Sequence, residues 1–209
     1  SWIIKISAPK DWTALNLFDR LRQQFHEIIF ILVDYNIMMR IVSWNMRKNK
    51  KAWPYFFESL NPDIALLQES SPLHDDFKFN IVTQNVKKNL NNSILFKNSQ
   101  PEQLLIEDQH QMGVLASEFK NPNNKIFLLS IYGNLSFTGT LDYVLLETIE
   151  FFINEMRNKF QAQDIIISGD FNMDRRMDEN PTTSNFSKKG ETRHEDFFDG
   201  ILNLGFHDC

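Results

Sequence analysis

Two stretches constrain the fold more than any others: Asp63-Ile64-Ala65-Leu66-Leu67-Gln68-Glu69 and Asp164-Ile165-Ile166-Ile167-Ser168-Gly169-Asp170. Each is a continuous apolar run, too short for an ordinary helix and without the alternation of a strand wetted on one face. Runs of this kind belong to strands buried on both faces. A chain that contains them must place material above and below a sheet. The two runs also echo one another. Both open with Asp-Ile and deliver a carboxylate six residues after the first aspartate, so two interior strands bring an acid to the same relative position.

The remaining elements fit around this pair. Residues 39–44, with Ile41, Val42 and Trp44, read as a strand, and Lys125-Ile126-Phe127-Leu128-Leu129-Ser130-Ile131-Tyr132 reads as another buried one. Shorter strands are expected at 77–83, 93–97, 103–107 and 112–117, separated by turns rich in Asn, Pro and Ser. Residues 51–60 have apolar positions at helical spacing and stop at Asn61-Pro62. In 141–157, Leu141, Leu145, Ile149, Phe152 and Met156 form one stripe. Residues 173–191 read as a long polar loop, and Thr192-Arg193-His194-Glu195 as a capping box opening a last helix that Gly205 ends. Strands and helices mix without regular alternation. The fold class is therefore α/β, a two-sheet sandwich with helices packed outside.

At 209 residues one domain with a sizeable core is expected. The net charge of −5 excludes the global basic field of a nucleic-acid coat protein, though not an enzyme that engages a polyanion locally. One cysteine, Cys209, excludes an internal disulfide framework and a multi-cysteine zinc site. The apolar run 28–33 is too short to span a bilayer and follows charged residues, which makes it a poor signal peptide. A cytoplasmic location is expected, with no membrane attachment and no obligate protein partner. Residues 1–37 carry no recognisable chemistry and read as an N-terminal extension ahead of a domain over 38–209.

Polar groups collect where the strands end: Ser43-Trp44-Asn45, Gln68-Glu69, Tyr132-Gly133-Asn134 and Asp170-Phe171-Asn172. Alternation places Asp170 and Asn172 on one side with Phe171 turned to the core. Carboxylate and amide oxygens suit a hard cation, Mg2+ or Mn2+, better than zinc. Any one of these endings has an ordinary explanation, since Asp and Asn are common in turns. Four of them in order do not.

In that order, "SWNM", "PDIALLQE", "SIYGN" and "SGDFNMD" resemble the endonuclease/exonuclease/phosphatase superfamily of DNase I-like metal-dependent phosphoesterases, over roughly residues 39–209. The resemblance implies a two-sheet α/β sandwich with its active site at one edge. It implies a divalent-metal-dependent phosphoesterase, with Glu69 as a metal ligand and Asn45 holding the metal or its shell. Tyr132 would contact the scissile phosphate, Asp170 would polarise the attacking water and Asn172 would bind a phosphate oxygen. Asn134 is a weaker match, because "YGN" lacks the proline that usually precedes this asparagine. Arg47, heading the basic run Arg47-Lys48-Asn49-Lys50-Lys51, would help draw in a polyanionic substrate.

The family also ends with a strand bearing Asp-His, and "GFHDC" stands in the wrong context to supply it. The domain is therefore expected to lack its last strand or strands. The expected substrate is a phosphodiester, in nucleic acid before inositol or sugar phosphates. The alternative from another class is a truncated or degenerate module that does not turn over.

Overall fold

The computed structural model describes residues 2–3, 28–34, 37–50, 52–72, 79–87, 90–100, 102–104, 106, 113–120, 125–133, 141–172 and 193–206. In chain order these form strands β1 (Trp2–Ile3), β2 (Ile28–Asp34) and β3 (Ile37–Asn45), and helix α1 (Ala52–Tyr55) with a wide turn over Phe56–Leu60. Strands β4 (Ile64–Ser70), β5 (Asn80–Lys87), β6 (Leu90–Phe96), β7 (Glu102–Gln103), β8 (Val114–Lys120) and β9 (Lys125–Tyr132) follow. Helix α2 (Leu141–Lys159), strand β10 (Asp164–Asp170) and helix α3 (Arg193–Asn203) complete them.

The strands make two sheets, ordered β2-β3-β4-β6-β5 and β1-β10-β9-β8-β7. Each contains one parallel pair, β3 with β4 and β9 with β10, amid antiparallel neighbours. The continuous apolar runs are explained by what lies on either side. Ile64 and Leu66 of β4 face the space between the sheets, which also holds Ile41, Ile94, Phe96, Leu128 and Ile166. Ala65 and Leu67 face outward into a layer with Trp53, Phe56 and Leu60. On the other sheet Phe127, Leu129 and Ile131 of β9 pack under Leu145, Ile149, Phe152 and Met156 of α2 and Phe197 and Ile201 of α3. The architecture is a two-sheet α/β sandwich with helices on both outer faces.

Several elements differ from their sequence expectation. Residues 51–60 do not form one α-helix. After Tyr55 the backbone widens, and the Asn61 amide reaches back five residues to the Phe56 carbonyl at 2.9 Å. The wider turn keeps both Phe56 and Leu60 buried against the sheet while Phe57 stacks on Trp53. β10 runs further than its apolar core, to Asp170, because its parallel pairing with β9 continues to Tyr132, and β4 runs to Ser70, which pairs antiparallel with Asn91 of β6. β6 begins at Leu90 rather than 93, so Asn91 and Asn92 lie within a strand and not in a turn. β5 lies at Asn80–Lys87, and among the described residues around the strand expected at 103–107 only Glu102–Gln103 are in a strand. β2, from the stretch read as an extension, pairs antiparallel with β3. The polar loop 173–191, Asn134, Lys51, Thr192 and His207-Asp208 lie outside the described residues. No described helix is long and apolar enough to cross a membrane.

Candidate active site

The inter-sheet layer changes character along the strands in steps of two. In β3 the side chains facing the other sheet run Ile41, Ser43, Asn45; in β9 Leu128, Ser130, Tyr132; in β10 Ile166, Ser168, Asp170. Each strand passes from an aliphatic residue through a buried serine to a half-buried polar group at its carboxyl end. The period of two that aligns the apolar core also aligns the polar ends. This pattern was present in the sequence and is a sharper signal than the motif endings taken singly.

β4 breaks the parity. Gln68, fully buried, points between the sheets and donates to the Ser130 hydroxyl at 3.1 Å. Strict alternation would then turn Glu69 outward, into the aromatic layer with Leu67. The pairing of β4 with β6 slips between Leu67 and Ser70, so that Gln68 and Glu69 together oppose Asn92. Glu69 takes a left-handed backbone (φ 49) in this bulge. A bulge of this kind re-aims a side chain, and here it returns the carboxylate to the rim. A non-glycine residue held at positive φ stores strain, which such sites commonly carry.

The four polar ends meet. The Asn45 amide Nδ2 donates to Asp170 Oδ2 at 2.6 Å and reaches Glu69 Oε1 at 3.5 Å. The Tyr132 hydroxyl donates to Glu69 Oε1 at 2.9 Å. One carboxylate from each sheet thus lies within reach of a single nitrogen. The Asn45 carbonyl oxygen is turned the other way, accepting the Arg47 backbone N–H at 2.9 Å. The backbone N–H of Lys48 donates to the Glu69 carbonyl at 2.9 Å, so the basic turn is fastened to the same two residues. The side chains of Arg47, Lys48 and Lys50 are exposed beside the rim.

Phe171 explains why an aromatic interrupts the acids. It is buried, with its ring 5.8 Å from that of Phe197 and 6.3 Å from that of Phe198, so the end of β10 is anchored under α3. Asn172 does share a side with Asp170, though not through strand alternation. Its backbone is left-handed (φ 55), its N–H donates to Asp170 Oδ1 at 3.0 Å, and its side chain donates to the Gly133 carbonyl at 2.6 Å. Both oxygens of Asp170 are therefore oriented by donors.

Partial burial, the hydrogen bond to Glu69 and the charges of Glu69 and Asp170 all push the Tyr132 phenol well above its ordinary range. The hydroxyl is a neutral donor at any physiological pH. Among the described residues no group of three or more His, Cys, Asp or Glu side chains gathers into a metal cage. His194, buried at the start of α3, is not among the residues that meet here.

No protein-family model matches this chain, and no curated protein matches its sequence. Solved structures do match. The AP endonuclease LMAP from Leishmania major superposes with a TM-score of 0.57 at 17% identity, over 83% of this chain and 71% of that one. The endonuclease domain of TRAS1, a telomere-specific non-LTR retrotransposon, gives 0.56 at 16% identity, over 81% of this chain and 72% of that one. The fold is the DNase I-like sandwich. A third structure of this kind, the 3′ phosphatase NExo from Neisseria bound to a product DNA hairpin, gives 0.54 at 18% identity, over 79% of this chain and 71% of that one. Within the DNase I-like fold, the rim formed by Asn45, Glu69, Tyr132 and Asp170 lies at the carboxyl ends of the two parallel pairs.

Proposed function

We propose that this rim is the active site of a divalent-metal-dependent phosphoesterase that hydrolyses phosphodiester bonds in nucleic acid. The observation that carries the reading is the meeting of Glu69 and Asp170, one from each sheet, on either side of the Asn45 amide. Two carboxylates so placed repel one another, and a cation between them and a phosphate relieves that repulsion. The oxygens that face the rim are the Glu69 and Asp170 carboxylates and the Tyr132 phenol, the kind of donor a hard ion prefers. Mg2+ commonly takes one or two carboxylates together with substrate phosphate oxygens, which fits a site with Glu69 as the protein ligand and Asn45 fixing its surroundings. When bound, Mg2+ or Mn2+ would neutralise charge on the phosphate oxygens and make the phosphorus more electrophilic.

The chain's own groups divide the remaining work. Asp170, held at both oxygens by Asn45 and Asn172, accepts a proton from the attacking water. Water oxygen bonds to phosphorus as the bond to the leaving oxygen breaks. A base so placed typically contributes about 10²–10⁴-fold. Asn172 retains a second amide hydrogen for a phosphate oxygen, since one is committed to Gly133. Tyr132 has one proton to offer, to Glu69 or to a phosphate oxygen. Arg47 and Lys48 supply local positive charge beside the rim of a net acidic chain. The names of the fold's neighbours, two of them endonucleases and one a phosphatase solved with DNA, favour nucleic acid as the substrate class.

The test is a substrate panel on the product of the whole reading frame: plasmid DNA, RNA, inositol phosphates and a generic phosphodiester. Hydrolysis of nucleic acid that stops in excess chelator and returns with Mg2+ or Mn2+ is expected. Hydrolysis that persists in excess chelator would rule out the metal reading, and activity confined to inositol phosphates would move the substrate class.

A further inference from the structure

Beneath the rim lies a residue to which neither the motifs nor the functional reading assign a role. Asn92 of β6 is fully buried and points from one sheet into the other. Its Nδ2 donates to the Gly113 carbonyl at 2.6 Å and to the Ser130 carbonyl at 2.8 Å, and its Oδ1 accepts the Ser130 hydroxyl at 2.6 Å. The Ser130 hydroxyl in turn accepts the Gln68 amide at 3.1 Å. Both donors of the asparagine are used and its oxygen is engaged, so every side-chain polar atom of Asn92 is satisfied within a buried network in which Gln68 Oε1 alone has no partner. Such networks specify a single arrangement more strictly than apolar contacts do.

The partners are what give this network a function. Gly113, whose carbonyl takes one Asn92 bond, also accepts the backbone N–H of Tyr132 at 2.9 Å. Ser130, which takes the others, stands two residues before Tyr132 on the same strand. On its own sheet Asn92 sits opposite the bulge formed by Gln68 and Glu69. One side chain thus joins the backbone that aims Glu69 to the backbone that carries Tyr132. Because the strand register also pairs Tyr132 with Asp170, the link extends to the second carboxylate.

We propose that Asn92 is a positioning residue: it sets the spacing between the half of the site on one sheet, Asn45 and Glu69, and the half on the other, Tyr132 and Asp170. The proposal rests on the phosphoesterase reading only for its effect on turnover. The basic turn at Arg47 and Lys48 belongs to the first half alone. Loss of the pin should therefore separate the two kinetic parameters. Substrate capture by the turn persists, while alignment across the sheets fails. Misplacement of a reacting group by 1 Å is worth on the order of 10²-fold in rate.

The experiment compares Asn92→Ala and Asn92→Asp with Ile94→Val and Ile94→Ala. Ile94 is a fully buried neighbour in the apolar part of the same layer, and its variants bracket the loss of thermal stability. At a temperature where all are folded, the Asn92 variants should lose about tenfold to a hundredfold in kcat with KM within about twofold; the Ile94 variants should keep both. Fluorotyrosine labelling gives a second readout that needs no activity. The chain has four tyrosines, and Tyr132→Phe assigns the one of interest. The Tyr132 fluorine resonance should shift or broaden in the Asn92 variants and stay in place in the Ile94 variants. An unmoved resonance in Asn92→Ala overturns the proposal, as does a kcat no lower than that of the Ile94 controls in an active protein. A moved resonance in a protein that hydrolyses no substrate leaves the positioning role standing and removes the phosphoesterase reading instead.

Discussion

Gly169→Ala is the substitution for which the structure gives the clearest magnitude. Gly169 lies in β10 one residue before Asp170, pressed against the backbone of Ile131 in β9 with φ of 154°. A methyl group there would sit 2.0 Å from the Ile131 carbonyl oxygen, 2.7 Å from its nitrogen and 2.8 Å from its carbonyl carbon. All three are main-chain atoms of a central strand, so no side chain can swing aside. To restore ordinary contact the strands must part by at least about 1.4 Å in an interior packed as densely as a crystal. Overpacking of this kind costs roughly 1–3 kcal/mol, and the unfavourable backbone angle places the expected loss near the upper end, about 3 kcal/mol. For a chain of this size that is a fall of about 6–12 °C in melting temperature. The shift also falls between Asp170 and Tyr132, which pair across the same two strands. Turnover of the folded fraction should therefore drop by about 10²-fold as well. Urea denaturation followed by circular dichroism reads the first effect, and initial rates well below the midpoint read the second. A Gly169→Ala protein with unchanged midpoint and rate would refute the argument that the close approach of β9 and β10 sets the site.

Replacing Arg47 and Lys48 together with alanine should raise KM for nucleic acid severalfold at low salt while leaving kcat near the parent value. The difference should shrink as ionic strength rises, because exposed charges act over a screened distance; a salt-independent difference would argue against steering. Tyr132 offers a pH test in the metal-free protein. Its folded-state ionisation lies above the ordinary value through burial first and Glu69 second. Its contribution to stability is therefore complete below the unfolded phenol's range and is lost as pH rises through and beyond it. Spectrophotometric titration should show one phenol ionising late, absent in Tyr132→Phe and moved down, though not fully to the ordinary value, in Glu69→Gln.

How much of this was legible in the sequence depends on which physical signal each element carries. β4, β9 and β10 were plain because burial on both faces leaves a continuous apolar run, and Lys125–Tyr132 begins and ends where expected. The polar endings were visible for the same reason: Asp170 and Tyr132 interrupt such runs. The bulge at Glu69 was not legible. A left-handed residue usually advertises itself as glycine, and here a glutamate holds φ 49 because its neighbours over-determine it. Its inward aim thus follows from pairing with β6, a contact no local pattern encodes. Asn92 was misread for a related reason. An Asn-Asn pair signals a turn when the amides are free to bond locally, whereas here Gly113 and Ser130, distant in sequence, satisfy the buried amide. The wide turn at Phe56–Leu60 likewise reflects the aromatic surface beneath it rather than helix propensity.

The central claim is that the carboxylates of Glu69 and Asp170 act together on one phosphate ester. Its most direct test measures phosphodiester turnover by Glu69→Gln and Asp170→Asn across a Mg2+ titration, with folding checked by circular dichroism. Both should fold as the parent does and lose turnover by about 10²-fold or more, with only Glu69→Gln partly recovering as Mg2+ is raised. Near-parental turnover in either folded variant would contradict the claim.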